Sequence, residues 1–170
     1  MIFRAHSTTD SGVKRPRAYQ AILLGGLIAG ALDITYACIF FGLRNHVSPI
    51  RIFQSVARGA LGQDAFKGGL KVAALGLFFH FLIALTAAVV YFFASRVLRL
   101  MVTYAIVCGI LYGVCVYLFM YGVVMRVSAI HSTTLPWSYP LGVLIPNLLI
   151  HMFGIGLPIA LAVRWGSRER

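Results

Sequence analysis

Residues 18–43 read AYQAILLGGLIAGALDITYACIFFGL, an apolar run whose single formal charge is Asp33. An α-helix rises about 1.5 Å per residue, so about 20 residues cross the roughly 30 Å hydrocarbon core of a bilayer. This run is long enough to do so. It is also too long for a signal-peptide core of about 7–15 residues, and it lacks a small-x-small cleavage site. Thr35-Tyr36-Ala37-Cys38 makes a poor lipobox, since its leading position is polar and the next is bulky. The basic cluster Lys14, Arg15 and Arg17 therefore reads as the flank of a retained first transmembrane helix.

Three further runs, about 70–93, 101–124 and 141–163, have the same character. The expected fold is an all-α membrane protein of four transmembrane helices. A polar, basic segment (1–17) precedes the four-helix domain (18–164), and a basic tail (165–170) follows it. Composition agrees: 60% of the 170 residues are hydrophobic and 11% charged, far from the balance of a soluble domain. Fifteen Lys and Arg stand against four acidic residues, but the basic residues flank apolar runs, which suits lipid headgroups rather than nucleic acid.

Four crossings put both termini on one side. That side carries Arg4, Lys14, Arg15, Arg17, Arg96, Arg99, Arg164, Arg168 and Arg170; the other carries the smaller set Arg44, Arg51, Arg58, Lys67, Lys71 and Arg126. The excess predicts cytoplasmic termini in a bacterial inner membrane. Trp137, Tyr139 and Trp165 sit where aromatic belts would anchor the fourth helix. Cys38, Cys108 and Cys115 fall inside apolar runs and read as small apolar fillers.

The first loop carries an amphipathic helix over about 49–61. Ser48 and Pro49 form an N-cap and N1 pair, and Gly62 supplies the stop. At 100° per residue Ile50, Ile52, Phe53, Val56, Ala57, Ala60 and Leu61 share one arc. Arg51, Gln54, Ser55 and Arg58 share the other. The pattern predicts an interfacial helix in the headgroup plane, with Arg51 and Arg58 towards lipid phosphates. Asp64 is positioned to cap the second transmembrane helix.

Polar residues inside the runs place the functional question. Asp33, His80 and His151 fall near the middle of their helices, where an acidic side chain costs on the order of 2.5–3.5 kcal/mol on insertion scales. Each shares a helical stripe with small residues: Asp33 with Gly26, Ala29, Gly30 and Ala37, and His80 with Ala73, Gly76, Ala84 and Ala87. His151 aligns with Asn147, Gly154 and Pro158. Small residues mark helix contacts in membranes, so these side chains are expected to face the bundle interior, with Tyr112 of the third helix in reach. Gly26-x-x-x-Gly30 and Gly109-x-x-x-Gly113 are the expected packing faces, and their recurrence, with His80 and His151, gives a weak internal repeat.

Three readings of the cluster stay open. Asp33, His80, Asn147 and His151 satisfy one another and fix helix register. Or they handle protons or a small polar solute, with Pro146, Pro158 and Gly154-x-Gly156 permitting broken backbone around a cavity. Or His80 and His151 hold haem, or a metal together with Asp33. No cofactor is expected on the first two. No Gly-x-Ser-x-Gly, His-Glu-x-x-His or P-loop pattern occurs, so no enzyme is expected. Tyr104, Tyr117 and Tyr121 read as interface anchors and packing residues. The expected partners are the lipid bilayer and either a second copy of the chain or a larger membrane complex.

Leu27-Ile-Ala-Gly-Ala-Leu-Asp33-Ile-Thr-Tyr-Ala37, Ser48-Pro-Ile-Arg-Ile-Phe-Gln-Ser-Val-Ala57, the Gly68-Gly69 to His80 run and the Gly-rich, Pro-containing segment after His151 carry a resemblance. Over nearly its whole length the chain resembles a group of small four-helix proteins of the bacterial inner membrane. Tyr121 and Arg126 stand where similar proteins carry Asn and Pro. The resemblance implies a fold and a membrane, and no catalytic residue. An acidic residue in the first helix is also similar to small multidrug transporters, from which the long first loop departs.

Overall fold

The structure, a computed structural model, describes residues 18–167. The basic segment 1–17 and the end of the tail, 168–170, lie outside the described residues. All regular structure among the described residues is helical. Four helices are long and apolar enough to cross a membrane: α1 (Ala18–Asn45), α3 (Gly69–Val97), α4 (Ala105–Val127) and α5 (Leu141–Ser167). The shorter α2 (Pro49–Leu61) lies between α1 and α3. At 28 residues α1 is about 42 Å long, so it exceeds a hydrocarbon core by a few turns. A separate turn, Leu100–Thr103, precedes α4, and the chain breaks at Tyr104 (φ −103°, ψ 43°) inside the run expected to be continuous from 101.

The distribution of side chains is the reverse of a soluble bundle. Alanines 29, 57, 65, 88, 105 and 160 are completely buried, while Leu27, Phe78, Val90, Leu111, Phe119 and Phe153 face outwards. Where lipid tails are the solvent, large apolar groups gain nothing by turning inward, and small residues let backbones approach. The four helices are thus compatible with an integral membrane protein.

Close approaches fix the topology. A Cβ on Gly26 would meet Leu85, and one on Gly30 would meet Phe81 and Ala84, so α1 and α3 run antiparallel. Gly25 faces Ile159 and Ala162, while Leu32 lies by Gly154, so α5 runs antiparallel to α1 on its other side. Gly109 meets Gly156, Leu157 and Ala160, and a Cβ on Gly113 would collide with the carbonyl of His151. The layer order is therefore α3, α1, α5, α4. Tyr91 and Tyr112, stacked edge to face at 5.0 Å, join the core of one half, together with Ala29, Phe92, Ile155 and Ile159.

The helix α2 begins and ends as its capping residues predict: Ser48 Oγ accepts from the Arg51 amide, and Gly62, at a positive φ of 62° that glycine adopts readily, donates its amide to the Arg58 carbonyl. Its inner face is packed on α3. Ile52 and Ala57 are buried, and a Cβ on Gly76, about 10 Å along α3 from Gly69, would collide with the Phe53 carbonyl. The expected apolar arc is thus divided: Ile50 and Leu61 remain exposed. Gln54, assigned by periodicity to the polar arc, is instead buried and donates Nε2–H to Gly69 O (3.0 Å). The start of α3 is not capped by Asp64, which pairs with Lys67 (2.7 Å), and Gly68 holds the N-cap without a side-chain bond.

Candidate functional site

Two of the long helices leave the α-helical ladder. In α4, residues Met120–Val124 form a π-helical segment; in α5, Ile150–Gly156 form a second, with the Leu157 amide reaching back to Met152 O. Pro158 offers a cause for the second, since proline has no N–H to bond a carbonyl one turn back and its ring crowds the carbonyl of Gly154. Such widened turns occur often at functional sites. Here the two segments coincide with one group of side chains.

His151 lies at the start of the π-segment of α5 and is 7% exposed. Its Nδ1 donates to the carbonyl of Asn147 (2.7 Å), because a carbonyl can only accept. In the neutral ring Nε2 is then left without a proton, and it has no hydrogen-bond partner among the described residues. Asn147 Nδ2 donates in turn to Val143 O (2.9 Å). Two rings of α4 flank the imidazole edge to face, Tyr117 at 5.4 Å and Tyr121 at 6.1 Å. Tyr117 is anchored by its hydroxyl to Pro136 O (2.7 Å), and Tyr121 packs between Tyr117 and Tyr139.

Asp33 of α1 completes the group. It is half-buried, and its carboxyl acts electrostatically on His151, Tyr121 and Tyr36. It accepts no hydrogen bond and forms no ion pair among the described residues. Tyr36, one turn further along α1, has a buried hydroxyl without a hydrogen-bond partner and stacks on Phe40 at 5.3 Å. Asp33 and His151 each lie within about 5 Å of the midpoint of their helix.

The remaining sequence-derived candidates engage other partners. His80 is half-buried and donates Nε2–H to Gly30 O (2.8 Å), tying α3 to α1. Tyr112 donates to Ala87 O (2.7 Å), in the half of the bundle that holds the apolar core. The glycines Gly26, Gly30, Gly109 and Gly113 all lie at helix contacts. On α2, Arg51 is exposed and stacks over Phe66 at 4.5 Å, whereas Arg58 is partly buried with an Nε that meets no acceptor. Among the described residues no three His, Cys, Asp or Glu converge as metal ligands.

Three tyrosines join the group although the sequence alone does not mark them: Tyr117 and Tyr121 read there as anchors and packing residues, and Tyr36 carries no signal of a role. The only available signal was spacing: Tyr117 and Tyr121 are one turn apart, as are Asp33 and Tyr36. Chemically the group offers a carboxyl, an imidazole nitrogen with a lone pair and a phenol, none engaged with another, beside backbone with widened turns. It can accept a proton or hydrogen-bond a small polar solute. Comparison with family models, with characterised proteins and with solved structures finds no match to this chain.

Proposed function

We propose that this chain is a multi-pass protein of the bacterial inner membrane in which Asp33 and His151, framed by Tyr36, Asn147 and Tyr121, form a proton-responsive or solute-binding centre. One observation carries the reading: Asp33, near the middle of α1, has no hydrogen-bond or ion-pair partner among the described residues and lies in electrostatic range of an imidazole whose second nitrogen is uncommitted. An ionisable group inside a membrane is costly and marks a functional site by default. The groups that face the pair are Tyr36 from α1 and Tyr117 and Tyr121 from α4. Proton uptake at His151 would be balanced by the carboxylate of Asp33, and the π-segments supply backbone able to rearrange with it.

A second reading, that the polar residues only organise packing, draws on a different fact. His80 and His151 each donate to a main-chain carbonyl, as side chains that fix register do. Asp33→Asn separates the two. In proteoliposomes loaded with a pH dye, the functional reading expects the variant to lose pH-dependent proton movement while its thermal midpoint stays within a few degrees. The packing reading expects no proton movement in either protein and a lowered midpoint for the variant. If the substitution changes neither property, the centre does not exist as described.

A further inference from the structure

Residues 128–140, the loop between α4 and α5, are fastened across the bundle at two points. The Ala129 amide donates to Gly59 O of α2 (2.9 Å), and Pro136 O accepts the hydroxyl of Tyr117 (2.7 Å), whose ring flanks His151. We propose that this loop is a strap over the entry to the Asp33 centre, latched by these two bonds, and that its release lets water and small solutes reach His151. This rests on the reading of Asp33 and His151 as a working centre, and adds the side from which that centre is reached and what closes it.

The two ends of the bundle are closed in different ways. Between the centre and the end that holds Ala18 and Ser167 lie Ala29, Ala88, Tyr91, Ala105, Ile159 and Ala160, all completely buried. Tyr112 also bonds Ala87 O there, joining α4 to α3. A close-packed layer of this kind opens only if several helices move together. Towards α2 the closure is slighter. Tyr121 and Tyr139 lead away from His151 in ring contact, and Pro136 is buried beside Gly122, where a Cβ would lie 3.5 Å from it. Around Pro136 the loop is exposed at His131, Thr133, Thr134, Leu135 and Trp137. Its other main-chain bonds run within the loop or to the helices it joins, Ser132 N–H to Met125 O among them, so they do not tie it across the bundle.

The latch is built to be undone. Gly59 is among the last four residues of α2, whose carbonyls look beyond their own helix for donors, and Ala129 supplies one. On release each latch bond is exchanged for a bond to entering water, so its net contribution is small. Tyr117 joins the latch to the centre: one side chain holds the strap by its hydroxyl and meets the imidazole with its ring. The π-helical segment Met120–Val124 begins within one turn of Tyr117 and supplies backbone that can take up its displacement.

Diethyl pyrocarbonate, which acylates a neutral imidazole nitrogen, reports access to His151 in the full chain in mild detergent, with the modified peptide identified by mass. His46 and His131, exposed in loops, report the free reagent. Two substitutions each delete one latch bond. Ala129→Pro removes only the amide. Residue 129 is the second of a turn closed by His131 N–H to Ser128 O (3.1 Å), where proline is favoured, and Ser128 already has the extended backbone (ψ 169°) of a residue before proline. Tyr117→Phe keeps the ring beside His151 and removes the hydroxyl. Each should speed the modification of His151 about fivefold, the worth of one net hydrogen bond. In the opposite direction, a Cβ on Gly59 would lie 3.8 Å from that of Ser128, the spacing found in disulfides. Oxidised Gly59→Cys/Ser128→Cys, in a background lacking Cys38, Cys108 and Cys115, should therefore slow the modification by at least about tenfold until it is reduced. The single variants decide the matter if the disulfide does not form. A rate at His151 indifferent to these changes, or a His151 that never reacts while His46 and His131 do, overturns the strap. Modification that follows the latch in a chain that moves no protons would uphold the strap and sink the working centre.

Discussion

Asp33 carries an insertion cost on the order of 2.5–3.5 kcal/mol at the middle of a spanning helix. Yet no donor among the described residues offsets it, which is why a merely structural account strains at this residue. The two histidines differ in the same respect. His80 uses Nε2 to tie α3 to the Gly30 carbonyl of α1, whereas His151 bonds only within its own helix and its other nitrogen meets no hydrogen-bond partner among the described residues. They should therefore separate under mutation. His80→Phe removes one interhelical bond worth about 1 kcal/mol and should lower the thermal midpoint by a few degrees while proton movement persists. His151→Gln should leave the midpoint nearly unchanged and stop proton movement, since an amide cannot take up the proton. The opposite pattern would make His80 the working residue. Asp33, His80 and His151 were legible in the chain because a polar group stands out against an apolar run. The roles of Tyr36, Tyr117 and Tyr121 were not, because a tyrosine in a spanning helix has the same signature whether its ring meets lipid, a neighbouring ring or an imidazole.

Among the elements, α2 shows how far periodicity reaches. Its limits followed from Ser48, Pro49 and Gly62, whose local chemistry sets a helix end irrespective of surroundings. Its partner did not follow, since an apolar arc says that a face avoids water and not whether it meets lipid or protein. The deciding residue lies in α3: Gly76, where the backbone of α2 fills the place of a side chain. Gly76→Val should therefore lever α2 from α3, exposing the amides of residues 52–57 to hydrogen exchange by at least about tenfold while the four long helices remain folded. Unchanged protection would mean that the helix is held by its short tethers alone. The π-segments were half legible in the same sense. Pro158 and Gly154-x-Gly156 announce an irregular ladder in α5, but nothing comparable announces the segment at Met120–Val124, whose widening accompanies the seating of Tyr121 between Tyr117, Tyr139 and His151.

At the scale of the molecule, the antiparallel layer order gives the bundle two unlike ends. At one end lie the termini of the described chain, the apolar core around Tyr91 and a cavity lined by Arg96 and Arg99; at the other lie α2, Asp64 with Lys67 and the loop that follows α4. The number of helices long and apolar enough to cross a membrane was legible from run length, because a spanning run must cover the hydrocarbon unaided. The order of the helices was not, because the glycines that decide it carry no mark of which helix they face. Orientation rests on the basic residues, which are more numerous on the side of the termini once residues 1–17 and 168–170 are included. It can be tested with single cysteines in a background lacking Cys38, Cys108 and Cys115. Leu98→Cys, in the turn between α3 and α4, should react with a membrane-impermeant maleimide only after the cells are opened. Thr133→Cys, in the loop between α4 and α5, should react in intact cells. The reverse labelling would turn the molecule over and place the end that holds α2 on the cytoplasmic side.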